Sequence, residues 1–140
     1  MIMVARALTA IDTAAPDADA FLEVAEAARA AFPAPFADLA REVRLVVEDW
    51  PDDDLLDEMD IEDAYDLTGL YEGEPLTERS VEAPAMPSTV TLFRRPILDE
   101  WAGRGDVTLG ALIAHVTVHE FAHHFGWSDA QIAQIDRWWE

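Results

Sequence analysis

Apolar positions recur at helical spacing between Asp19 and Ala31, where Phe21, Leu22, Ala25 and Ala28 define one face of an amphipathic helix. Pro33 ends it, and Pro35 to Arg41 predicts a second short helix with its proline in the first turn. Val43 to Asp49 changes the pattern: Val43, Leu45, Val46 and Val47 form a β-branched run that predicts a strand, stopped by Pro51 and three aspartates. Residues 52–66 are strongly acidic with Leu55, Leu56, Met59 and Ile61 embedded, and read as a loop with one helical turn. Gly69 to Gly73 is a short extended piece, and Pro75, Pro84 and Pro87 make 74–88 a loop. Thr89 to Arg94 predicts a second strand, ended by Pro96, which begins a short helix containing Ile97, Leu98 and Trp101. Asp106 is the expected N-cap of a long helix through Phe125, with Gly126 just past its end. Ser128 and Gln131 have the spacing of a capping box for a last helix to about Trp138. Residues 1–17 read as a loose arm, or a strand and a loop. Few strands surrounded by helices give the α+β class, in one domain over 1–140.

Composition narrows the partners more than the fold. Half of the 140 residues are apolar, which is enough for a single core and sets disorder aside. With no cysteine, disulfides, thiol chemistry and Cys-type zinc sites are excluded. The formal net charge of -20 repels phosphate backbones and anionic membrane surfaces, so neither nucleic acid nor membrane is expected as a partner. The same charge keeps the chain in solution and is compatible with a cationic substrate. No stretch approaches a membrane span, and Arg6 interrupts the apolar start, which lacks the pattern of a signal peptide. The expected location is the cytoplasm.

All four histidines lie within ten positions: His115, His119, His123 and His124. On a helix, residues four apart share a face, so His119 and His123 can bind one ion. Imidazole suits zinc, and Glu120 beside the first ligand is placed to act as general base toward an activated water. That is the mechanical content of His-Glu-x-x-His spacing. A catalytic site needs a third ligand. Gly126 permits a sharp turn after the helix, and Asp129 follows three residues later, giving His-Glu-x-x-His-x-x-Gly-x-x-Asp over 119–129. The alternative for Asp129 is a favourable charge in the first turn of the last helix. His115, one turn before His119, reads as a structural histidine, a ligand-supporting residue or a substrate contact. His124 reads as a residue that orients Glu120, or as a substitute third ligand.

At these residues the sequence resembles a family of small bacterial zinc metallopeptidases, the minimal zincins, which carry this extended motif. Val46-Val47-Glu48-Asp49 is similar to the family's first strand and its acidic end. Gly69 to Gly73 with Pro75-Leu76-Thr77-Glu78-Arg79 resembles its central segment, and Thr91 to Ile97 its second strand. The resemblance covers roughly residues 20–135. It implies a compact zincin-like fold with the motif helix packed on a small sheet. It also implies zinc held by His119, His123 and Asp129, with Glu120 as the catalytic base. Residues 52–66 are longer and more acidic than the family pattern, which raises the question of whether they cover the cleft.

The function these observations lead to is zinc-dependent hydrolysis of a peptide or similar amide. Tyr71, Arg79, His115 and His124 are the candidate donors to the oxyanion. A short chain leaves little room for a deep pocket, so a peptide is expected along the sheet edge. The rival from a different class is a non-catalytic, metal-containing interaction module built around Trp138 and Trp139. A third reading has the acidic surface binding a basic protein.

Overall fold

The computed structural model describes residues 16–78, 87–128 and 130–132. The expected N-terminal arm up to residue 15, Arg79, Asp129, most of the last helix, and Trp138 with Trp139 all lie outside the described residues. In chain order the elements are α1 (Ala18–Ala30), α2 (Phe36–Ala40), β1 (Arg44–Glu48), α3 (Asp53–Glu58), β2 (Gly69–Glu72), β3 (Thr89–Phe93), α4 (Arg94–Arg104) and α5 (Leu109–Phe125). Short 3-10 turns lie at Ala64–Asp66 and Leu76–Glu78. The architecture is α+β, as the patterning predicts.

The sheet has the order β1-β3-β2, with β1 parallel and β2 antiparallel to the central strand. Register follows side-chain alternation. Leu45, Val90 and Tyr71 stand opposite one another, as do Val47, Leu92 and Gly69, and both rows face the main core. On the other face, Phe93 and Leu70 meet Leu56 and Leu67 in a smaller cluster. That second cluster explains why 52–66 is more than a loop. Asp52 caps α3 by accepting from the Leu55 N–H at 2.8 Å, and Asp63 accepts from the Tyr65 N–H at 3.0 Å. The acids cap the short elements while Leu56 anchors them under the sheet.

The core is built between α1 and α5. Phe21, Val24 and Ala25 from α1 meet Leu112, Ile113, Val116 and Phe121 from α5, over Val90 and Leu92. Phe32, Phe36, Phe125 and Trp127 close one end as an aromatic cluster, with Phe32 and Phe125 edge to face at 5.2 Å. Arg29 leaves α1 to donate to the carbonyls of Ala40 and Val43, fastening α2 and the start of β1 to the first helix. Arg94 Nε donates to Asp49 Oδ1 at 2.7 Å, which ties the end of β1 to the start of α4 and holds the Asp49 carboxyl below its ordinary range.

Three boundaries differ from the sequence reading. The N-cap of α5 is Thr108, whose Oγ1 accepts from the Ala111 N–H at 3.1 Å; Asp106 lies two residues too early. β3 passes directly into α4 at Arg94, so Pro96 sits buried in the first turn, where a missing N–H removes no helix bond. α4 is also longer than the few residues expected, and runs to Gly105 in a left-handed conformation.

Phe21 has no exposed surface, and its ring fills the seam between α1 and α5. Phe21→Ala should lower unfolding stability by about 3–5 kcal/mol. Urea titration should show a lower midpoint with an unchanged slope.

Candidate metal centre

α5 is buried on most sides. Leu109, Leu112, Ile113, Val116, Val118, Phe121, Ala122 and Phe125 are all within the core. The buried Thr117 hydroxyl is satisfied by the Ile113 carbonyl, to which it donates at 2.8 Å. What remains toward solvent is a narrow stripe carrying His115, His119, Glu120 and His123. The helical period thus places the expected ligands on the side that the described residues leave open.

His119, Glu120 and His123 each offer a ligand atom, and these lie within 4.8 Å of one another. The rings of His119 and His123 stand nearly perpendicular, with centroids 5.4 Å apart. Two imidazoles and a carboxylate at this separation fit a divalent ion that takes nitrogen and oxygen donors, as zinc does. His115 is exposed one turn earlier, with its ring 6.3 Å from that of His119.

Glu120 separates two shallow clefts. One, of about 210 Å³, is lined by Thr68, Glu100, His115, Val116, His119 and Glu120. The other, of about 410 Å³, runs beside β2 from Gly69 to Gly73 and reaches Met59, Glu120 and His123. Met59 is the member of the acidic segment that borders it. Asp53, Asp57 and Asp60 of the same segment line a separate concavity.

β2 is pressed against this helix. A Cβ built at Gly69 would come within 2.8 Å of Val116 Cγ1 and 3.0 Å of Glu120 Cγ, so only glycine allows the approach. Two residues on, the Tyr71 peptide lies near enough to the Glu120 carboxylate to favour its charged form. Burial pushes the Glu120 carboxyl above its ordinary value, outweighing the opposing effects of His119 and of the Tyr71 N–H.

Two candidates from the sequence take other roles. His124 is fully buried. Its Nδ1 lies 2.9 Å from the Tyr71 hydroxyl, and its Nε2 lies 3.0 Å from Glu42 Oε1 at angles that fall short of a hydrogen bond. One residue past His123, it has turned about 100° into the core, away from the ligand cluster, and is no substitute third ligand. The Tyr71 hydroxyl is held by His124 and by Ser88 Oγ at 3.1 Å, so it is not a free donor for an oxyanion. Glu42, Ser88, Thr68 and Glu100 were not legible as site neighbours, because long-range packing brings them there and no spacing marks them.

Past the helix, Gly126 adopts φ 73° and ψ 29°. The Trp127 N–H bonds the Ala122 carbonyl at 3.0 Å, closing a Schellman-type turn. A Cβ at Gly126 would lie 2.5 Å from Thr77 Oγ1, a second reason for glycine. Ser128 and Gln131 form the expected reciprocal pair, Gln131 Oε1 accepting from the Ser128 N–H at 2.7 Å. Asp129, between them, lies outside the described residues.

A carboxyl whose pKa is raised by folding binds its proton more tightly in the folded chain. Its contribution to stability is therefore present at low pH and is lost as pH rises above 4.5, the ordinary value, through the folded value. Metal-free Glu120→Gln should then be more stable than metal-free wild type at neutral pH. The difference should shrink as pH falls toward 4.5 and level off below it, as read by thermal melts across pH.

No curated protein matches the chain. A family model of zincin-like metallopeptidases matches residues 40–139. That stretch spans β1 through α5, and so includes the strand and the helix that form the cluster. Its members' defining feature is a metal ion, typically zinc, and the His119–Glu120–His123 group is the candidate place for it. A metal-suited donor set on a buried helix, flanked by a close-packed edge strand, agrees with that match: the chain belongs to the zincin-like metallopeptidase family.

Proposed function

We propose that the protein is a zinc-dependent peptidase. His119 and His123 hold the ion, Asp129 is the third protein ligand, and Glu120 is the general base. The observation that carries this reading is the convergence of His119, Glu120 and His123 within 4.8 Å on the one open stripe of α5. When bound, zinc supplies a Lewis acid that acidifies water and polarises an amide carbonyl.

The chain's own groups supply the rest. Glu120, between the two clefts, receives a proton at its carboxylate and returns it to the departing amine. Burial raises its basicity. The substrate lies along β2. In an antiparallel pair, residues of one parity direct both backbone groups to the same side. The Phe93 N–H bonds the Thr68 carbonyl, so by alternation the backbone groups of Gly69 and Tyr71 face away from β3, and their carbonyls can accept from an extended peptide. His115, exposed in the cleft beside His119, is the described candidate for contacting the substrate carbonyl.

Elemental analysis of purified protein should find about one zinc per chain, lost in His123→Ala. Wild type without metal, even after zinc is supplied, would overturn the reading. Glu120→Gln should retain the zinc while hydrolysis of a quenched fluorescent peptide library falls by about 10²-fold or more. Undiminished turnover in that variant would remove Glu120 from the mechanism.

A further inference from the structure

Two carboxylates line the smaller cleft beside α5, and the proposed chemistry uses one of them. Glu120 belongs to the ligand-suited group with His119 and His123, and Glu100 does not. Glu100 comes from α4, where Pro96 and Ile97 are buried and Trp101 packs on the core. Residues three and four apart on a helix share a face. Glu100, three after Ile97, therefore stands at the margin of the packed face and is half-buried, while Asp99 beside it is exposed. The helix turns one acid into solvent and brings the next into the wall of the cleft, which it shares with His115 and His119 of α5.

Among the described residues Glu100 has one cation near it. Arg104 lies one turn on, with Nη1 3.6 Å from Glu100 Oε2 and both side chains close to half exposed. A pair of that length and exposure contributes little. Arg104 also has its Nε 3.6 Å from Asp106 Oδ1, so it keeps an acidic partner when Glu100 takes another. Size then selects what enters. At about 210 Å³ the cleft is smaller than the roughly 300–1,000 Å³ of a small-molecule pocket, and it takes one side chain rather than a whole ligand. The larger cleft on the other flank of Glu120 offers Met59, Leu70 and Pro75, and no charged group besides Glu120 and His123. An additional carboxylate thus marks one flank of Glu120 and not the other.

We propose that Glu100 is a specificity-determining residue, which receives the cationic side chain, arginine or lysine, of the substrate residue flanking the scissile bond on the side of the smaller cleft. The scissile bond in this statement rests on the peptidase reading above. The net charge of -20 draws cations to the surface as a whole, and Glu100 gives one of them a fixed partner at the site. A guanidinium meets such a carboxylate through two parallel N–H groups.

The test compares arginine with citrulline, which has nearly the same shape and no charge. With the zinc-loaded wild type, the best peptide of the quenched fluorescent library should carry arginine or lysine beside its cleaved bond. Its arginine form should have a kcat/KM about 10-fold or more above that of its citrulline form. Glu100→Gln should bring this ratio near one, and Glu100→Lys should carry it below one. The ratio is taken within each variant, so a change in zinc content or overall rate does not alter it. Cleaved bonds without a basic neighbour, or an undiminished ratio in Glu100→Gln, would overturn the proposal and leave the peptidase reading standing. A second measurement needs no turnover. Nα-acetylarginine amide and Nα-acetylcitrulline amide are titrated into the zinc-supplied wild type while the Thr68 and Val116 amides are followed by NMR. The arginine compound should half-saturate the shifts at roughly one tenth of the concentration, and Glu100→Gln should abolish the difference. If the wild type cleaves no peptide, the peptidase reading falls and this titration decides alone, with equal or absent shifts overturning the role of Glu100.

Discussion

Almost everything in this molecule depends on burying α5. A seventeen-residue helix with apolar residues on most of its circumference must be enclosed, and α1, the sheet and the aromatic end-cluster are what enclose it. Enclosure leaves one strip of surface. Polar residues placed anywhere else on this helix would need buried partners, and two of them, Thr117 and His124, have been given such partners. The histidines and glutamate of the strip require none from the core. The constraint that stabilises the fold therefore also chooses where a metal centre can be.

The second element of that arrangement is the strand. β2 is only four residues long and could not hold a fixed place by its ladder to β3 alone. Its contact with α5 uses the absence of a side chain at Gly69 and the presence of one at Tyr71. The strand's edge is left open toward the cleft, which an isolated sheet would leave exposed to aggregation. Here the acidic segment nearby carries no basic residue over 52–66 to recruit another chain's acids.

Much of this was readable in the residues. The class, the two strands with β-branched runs, the first helix and the motif helix all have strong local periodicity, and the structure has them within a few residues. The side on which His119 and His123 stand follows from helical geometry alone. Errors arose where tertiary contacts overrode local signals. Asp106 is a good N-cap by type, but Thr108 is the one that meets the Ala111 N–H. Residues 52–66 look like a loop by charge, yet Leu56 finds a second apolar cluster beneath the sheet, invisible to a one-face view of the pattern. The role of His124 was open for the same reason: sequence gives its angle on the helix but not that Tyr71, fifty-three positions earlier, waits there.

Gly126 has a consequence beyond ending the helix. It lacks a Cβ where Thr77 stands, so the turn that leads toward Asp129 and the chain leaving β2 occupy a shared volume. The two segments are thus packed directly on each other. A side chain added at Gly126 would be met at once by Thr77, so a change on one segment calls for room on the other.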